Sequence, residues 1–64
     1  MSTKIYNNVC ELVKENGTSI AQLEKRAGIA NGTIGKWRDS TPKISSLESV
    51  AQVLKVSVNR LLKE

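Results

Sequence analysis

Histidine and phenylalanine are absent from the 64 residues, and cysteine, proline, tryptophan and tyrosine occur once each. Each scarcity removes a class of answer. With no His and only Cys10, the chain lacks the ligands of a structural zinc site and has no internal disulfide, so no metal or other cofactor is expected. A lone thiol suits a reducing cytoplasm. No Ser, Cys or carboxylate has an evident activating partner, so an enzyme is not the expectation either. No apolar run approaches the roughly 20 residues of a spanning helix, and residues 1–15 are too charged for a signal peptide. With aromatics reduced to Tyr6 and Trp37, aliphatic side chains must carry the core.

What remains is a small globular composition, 39% hydrophobic and 25% charged, which separates it from a disordered tail. A chain this short makes one domain, residues 1–64. It buries only about 60% of the surface its unfolded form exposes, too little for a deep enclosed catalytic pocket. The net charge of +4 is unevenly spread. Lys25, Arg26, Lys36, Arg38 and Lys43 face Asp39 alone between residues 25 and 43, and elsewhere acids and bases balance. The whole excess sits in one segment, the footprint of a polyanion partner or simply of a solvated face.

Periodicity divides the chain into five short helices. Ile5, Val9, Leu12 and Val13 form one stripe from Lys4 to Asn16, and Gly17 supplies the stop. Ser19 and Gln22 have capping-box spacing before Ile20, Leu23 and Ala27, and this second helix ends at Gly28. Ile34 and Trp37 keep i, i+3 spacing, which predicts a third helix over 31–38 despite Gly32 and Gly35. Pro42 closes the loop that follows. Ser45 and Glu48 form a second capping box before Leu47, Val50, Ala51 and Leu54, predicting a helix to about Lys55. Ser57 caps a last helix with Val58, Leu61 and Leu62 at contact spacing. The expected class is all-α, a compact bundle of five short helices.

The two glycines raise a question, because each weakens a helix by roughly 1 kcal/mol relative to Ala. Ser19 to Trp37, "SIAQLEKRAGIANGTIGKW", resembles the helix-turn-helix of the phage repressor and Cro (XRE) family. Leu23, Gly28, Ile29 and Ile34 fill the positions of that pattern. The resemblance continues through "LESVAQVLKVSVNRLL", covering the chain from about Val9 onward, and implies a lambda-repressor-like fold. Gly28 then makes the sharp turn at positive φ. Leu23, Ile29, Ile34 and Trp37 fix the angle at which the third helix meets a major groove. For Trp37, core packing is favoured over DNA contact.

By this resemblance, base readers fall on Asn31, Gly32, Thr33 and Lys36. Asn can pair with adenine, Thr can offer a hydroxyl or a methyl, and Lys can reach guanine. Asn31 is equally read as the helix cap. Gly32 reads nothing itself and would let the backbone approach a base or phosphate at the helix N-terminus, or is a tolerated surface choice. The implied phosphate contacts are Ser19, Arg38, Ser40, Thr41 and Lys43. Two positions depart from the family: Ile20 replaces a common Gln and loses its phosphate contact, and Glu24 replaces a common small Ala. Glu24 is expected to swing outward towards Lys36 or Arg38.

The implied function is sequence-specific binding of double-stranded DNA by a transcriptional repressor or regulator. It would act as a homodimer on a palindromic operator, since one reading helix covers few base pairs. Val56, Val58, Arg60 and Leu62 are candidate dimer contacts, although core packing explains Val58 and Leu61 as well. The length suits a whole Cro-like regulator or the N-terminal domain of a larger repressor. The alternative, kept alive by Ile20 and Glu24, is an adaptor that docks on a regulatory protein partner without reading DNA.

Overall fold

The computed structural model describes residues 3–63, so Met1, Ser2 and Glu64, the ends of the expected domain span, lie outside the described residues. In chain order come α1 (Thr3–Glu15), α2 (Ile20–Ala27), a 3-10 helix (Ile34–Arg38), α3 (Ile44–Leu54) and α4 (Val58–Leu62). There is no strand among the described residues. The all-α class and the order of five helical segments are as expected. Their ends follow from local chemistry. The Ser19 Oγ accepts the Gln22 N–H at 3.2 Å, and the Ser57 Oγ accepts the Arg60 N–H at 3.3 Å, so both serines cap as read. Gly28 is left-handed, with φ 73°, and its N–H returns to the carbonyls of Glu24 and Lys25. A side chain would resist that conformation, whereas Gly adopts it freely.

Two boundaries differ from expectation. The third helix covers 34–38 rather than 31–38, because Gly32 has φ +90° and breaks any helix through 31–33. Lys43, not Ser45, stands at the N-cap of α3. Pro42 is buried and biases Thr41 away from helix, so the chain can enter α3 directly after Lys43, whose carbonyl accepts the Leu47 N–H at 3.0 Å.

Val9, Leu12 and Val13 of α1, Leu23 of α2, Ile34 and Trp37 of the 3-10 helix, Leu47, Val50, Ala51 and Leu54 of α3, and Leu61 of α4 form a single buried cluster. Full burial of each large aliphatic contributes about 1.5–3 kcal/mol. Leu62, by contrast, faces outward at 43% exposure, as does Ile44 at 63%. Helix α1 packs against both the 3-10 helix and α4, and α2 packs against α3. Asn8 ties the C-terminal end of α4 to α1, its Nδ2 donating to the carbonyls of Leu61 at 2.8 Å and Lys63 at 2.6 Å. The radius of gyration, 10.1 Å, matches the roughly 11 Å of a fully compacted chain of this length. With α1 behind it, the 3-10 helix keeps one face for solvent.

Candidate nucleic-acid interface

The candidate surface begins at the turn between α2 and the 3-10 helix. After Gly28, Ile29 is half-buried against the core, and the Thr33 N–H donates to the Ala30 carbonyl at 3.1 Å. Asn31 and Gly32 project into solvent. Asn31 is not the cap of the 3-10 helix: Thr33 occupies that position, and without a side-chain hydrogen bond.

Glu24 fills the capping role. Its side chain is 3% exposed, its Oε1 accepts the Gly32 N–H at 3.1 Å and its Oε2 accepts the Ile34 N–H at 2.9 Å. The expected outward swing towards Lys36 or Arg38 is therefore corrected. A buried carboxylate needs donors on both oxygens, and the unpaired N–H groups opening a helix are the nearest supply. The same bonds change the reading of Gly32. Its N–H is already committed, so close approach to DNA is left to its bare Cα.

For Gly32 this geometry reverses the sign that helix propensity alone would give. Gly32→Ala forces an L-residue to φ +90° and is expected to lower stability by about 1 kcal/mol, a fall of about 4–8 °C in Tm. Gly35 has no such φ and open space where a Cβ would stand, so Gly35→Ala is expected to raise stability by about 0.5–1 kcal/mol. Circular-dichroism melts of the two variants check both signs.

Along the 3-10 helix, Ile34 and Trp37 point into the core while Gly35 and Lys36 are exposed. The Lys36 carbonyl accepts from the Asp39 N–H, the Ser40 N–H and the Ser40 hydroxyl, at 3.1, 3.0 and 3.1 Å, which folds the chain back towards α3. As a result Thr33, Lys36, Ser40, Thr41 and Lys43 line one shallow groove floored by Trp37 and Pro42. Its walls carry two cations and no carboxylate. Ser46, on the first turn of α3, also lines it and was missed in the sequence. Its signal was Pro42, which starts α3 early enough to turn that serine towards the loop.

The remaining candidates lie around this groove. Asn31 borders a neighbouring depression with Ala21 and Lys25. Ser19, at the N-cap of α2, lines a further depression with Gln22 and Arg26. Arg38 leans the other way, its guanidinium carbon 5.8 Å from the centre of the Tyr6 ring on α1. The Tyr6 phenol is held above its ordinary pKa, first by its hydrogen bond with Cys10, then by its electrostatic interaction with Cys10 and by burial, with Arg38 opposing. The ring presents an electron-rich face to Arg38. Of the candidate dimer residues, Val56 and Val58 pack half-buried on the core. Arg60 reaches Glu11 at 3.4 Å, leaving Leu62 as the exposed apolar member. No metal-binding group of His, Cys, Asp or Glu exists among the described residues, and no helix there is long and apolar enough to cross a membrane.

Two helical segments joined by a glycine turn, the second showing a polar, cationic face, define a helix-turn-helix protein. The sequence pattern of that family, described as helix-turn-helix, matches residues 11–61, and the chain belongs to this family in its XRE form. It is similar to the HTH-type transcriptional regulators SinR of Bacillus licheniformis and of Bacillus subtilis (strain 168), 41% identical over 54 residues in each case. Those matches cover 80% of this chain and 49% of each relative, so the chain spans about half the length of the curated relatives it matches. Among solved structures, the N-terminal DNA binding domain of SinR from Bacillus subtilis superposes with a TM-score of 0.88 at 34% identity, covering 97% of this chain and 94% of that one.

Proposed function

We propose that this chain is the sequence-specific, double-stranded-DNA-binding module of a cytoplasmic transcriptional regulator. The segment 31–38 enters the major groove, where Asn31, Thr33 and Lys36 read base edges and Gly32 leaves room for the backbone to come close. Lys43, Thr41 and Ser40 hold one stretch of phosphate backbone, and Arg38 and Ser19 hold its flanks. A homodimer, with Leu62 in its contact surface, sets two reading segments on a palindromic operator.

The groove is the observation that carries this reading. Five side chains expected to meet DNA line a single cation-bordered depression beside the helix-turn-helix. The likeness to the N-terminal DNA binding domain of SinR supports it further. An adaptor without DNA readout loses one of its grounds, because Glu24 is turned inward and does not obstruct the exposed face.

A salt titration with labelled duplex tests the proposal. The logarithm of the association constant is expected to fall linearly with the logarithm of salt concentration, with a slope of about −0.9 per phosphate neutralised. Absence of salt-dependent binding to any duplex overturns it. Selection from random duplexes is expected to return an inverted repeat, and a single unrepeated half-site overturns the dimer.

A further inference from the structure

Glu24 closes both ends of the turn that leads into the reading segment. Its backbone carbonyl accepts the N–H groups of Gly28 and Ile29, ending α2. Its side chain reaches forward eight and ten residues to the N–H groups of Gly32 and Ile34, opening the 3-10 helix. One buried residue thus fixes where α2 stops, where the reading segment starts and which backbone conformation joins them.

The conformation matters because Gly32 is intrinsically free. At φ +90° it occupies one of several wells that Gly visits readily, and the bond from its N–H to Oε1 selects that well. Asn31 and Thr33 flank Gly32, so the directions in which their side chains leave the chain are set by the same dihedral angles. The carboxylate also satisfies the two N–H groups that open the segment, so neither is left for another anion. Its negative charge and its claim on both donors leave the phosphate backbone to Lys43 on the groove beside it.

We propose that Glu24 is a positioning residue for base reading: its carboxylate, rather than a DNA phosphate, occupies the opening N–H groups of the reading segment and fixes the aim of Asn31 and Thr33. This rests on the DNA-binding function proposed above. A segment held in its bound shape before binding has less ordering entropy to lose on the correct sequence, so the effect falls on discrimination more than on general attraction to DNA.

The test has two arms. In the first, Glu24→Gln, which keeps the size of the side chain but leaves only one acceptor oxygen, is compared with the unmodified protein on a duplex selected from a random pool and on poly(dI-dC). The ratio of the two affinities is expected to fall about tenfold, the scale of one good base contact. Affinity for poly(dI-dC) and the salt slope stay unchanged within about a factor of two. An unchanged ratio overturns the positioning role and leaves Glu24 a structural cap.

The second arm needs no variant and keeps the inference open to refutation if Glu24→Gln does not fold. Hydrogen exchange of the Gly32 and Ile34 amides and the carbon shift of the Glu24 carboxylate are followed by NMR as the selected duplex is added. Both amides are expected to be protected in the free protein and to stay so in the complex, with the carboxylate shift unmoved. Loss of the protection, or a shifted carboxylate, means that DNA displaces Glu24 and overturns the inference while leaving DNA binding intact. Unmodified protein that binds no duplex at low salt overturns the function and the positioning role together.

Discussion

Trp37→Ala is expected to leave the domain largely unfolded at 37 °C, with no cooperative melting transition above that temperature. Trp37 is 3% exposed and belongs to the one buried cluster. Truncating a buried Trp costs about 3–5 kcal/mol, from the lost transfer of the indole and the cavity left behind. A domain of 64 residues has only about 3–10 kcal/mol in total, so the loss consumes much or all of it. The geometry makes collapse around the cavity hard. Trp37 sits on a segment of five residues that α1 contacts from behind, and the chain has no Phe to refill the space. Trp37→Phe should retain the fold, because a smaller ring still fills most of the site. Its affinity for DNA then separates the two roles that the sequence left open. Affinity within a factor of about two of the unmodified protein is the packing result, whereas a loss near 1 kcal/mol, the worth of a typical hydrogen bond, identifies a contact made by the indole N–H. Chemical denaturation followed by circular dichroism reads both variants, since Trp37→Ala removes the only tryptophan signal.

The contrast between Trp37 and Glu24 shows what this sequence discloses. Ile34 and Trp37 declare their burial locally, through i, i+3 spacing in a segment otherwise polar. Ser19, Ser57 and Gly28 do the same, because a cap or a left-handed turn is chemistry among near neighbours. Glu24 could not be read that way. Its partners are backbone groups eight and ten residues on, and every residue but proline carries an N–H. A fainter signal did exist. Glu24 stands four residues after Ile20 and three before Ala27, both packed on the core, so it lies on the inner stripe of α2. A carboxylate there must find donors, and the Asn31–Gly32 pair, a common turn dipeptide, marked where the chain would supply them. Once Gly32 is seen as the hinge of that turn, its apparent cost to helix propensity disappears, because no helix runs through it.

The groove was legible for a different reason. Lys36, Ser40, Thr41 and Lys43 are close in sequence, so any sharp return after the 3-10 helix brings them together, and the triple bonding at the Lys36 carbonyl makes that return. Arg38 belongs to the same run yet faces Tyr6 on α1, a contact between distant segments that local spacing cannot reveal.

Proximity in one groove does not imply one role, and Lys36 and Lys43 should part company when DNA is bound. Lys36 projects from the exposed face of the reading segment, where an ammonium can reach guanine O6 and N7. Lys36→Ala is expected to cost about 1–3 kcal/mol on the selected operator, roughly ten- to hundredfold in affinity, and to relax the preference at one base pair of each half-site. Lys43 stands at the start of α3 and lines the same groove, and it is the proposed phosphate contact. Lys43→Ala is expected to weaken binding to every duplex alike and to reduce the steepness of the salt dependence by about one per copy bound. Neither change should alter the folding free energy by more than about 0.5 kcal/mol, because both side chains are exposed. Affinities on the operator, on single-base variants of it and on unrelated duplex, each measured across salt, separate the two signatures. Equal losses on all sequences for Lys36→Ala would remove it from the base readers. A sequence-dependent loss for Lys43→Ala would move the reading surface across the groove to the α3 side.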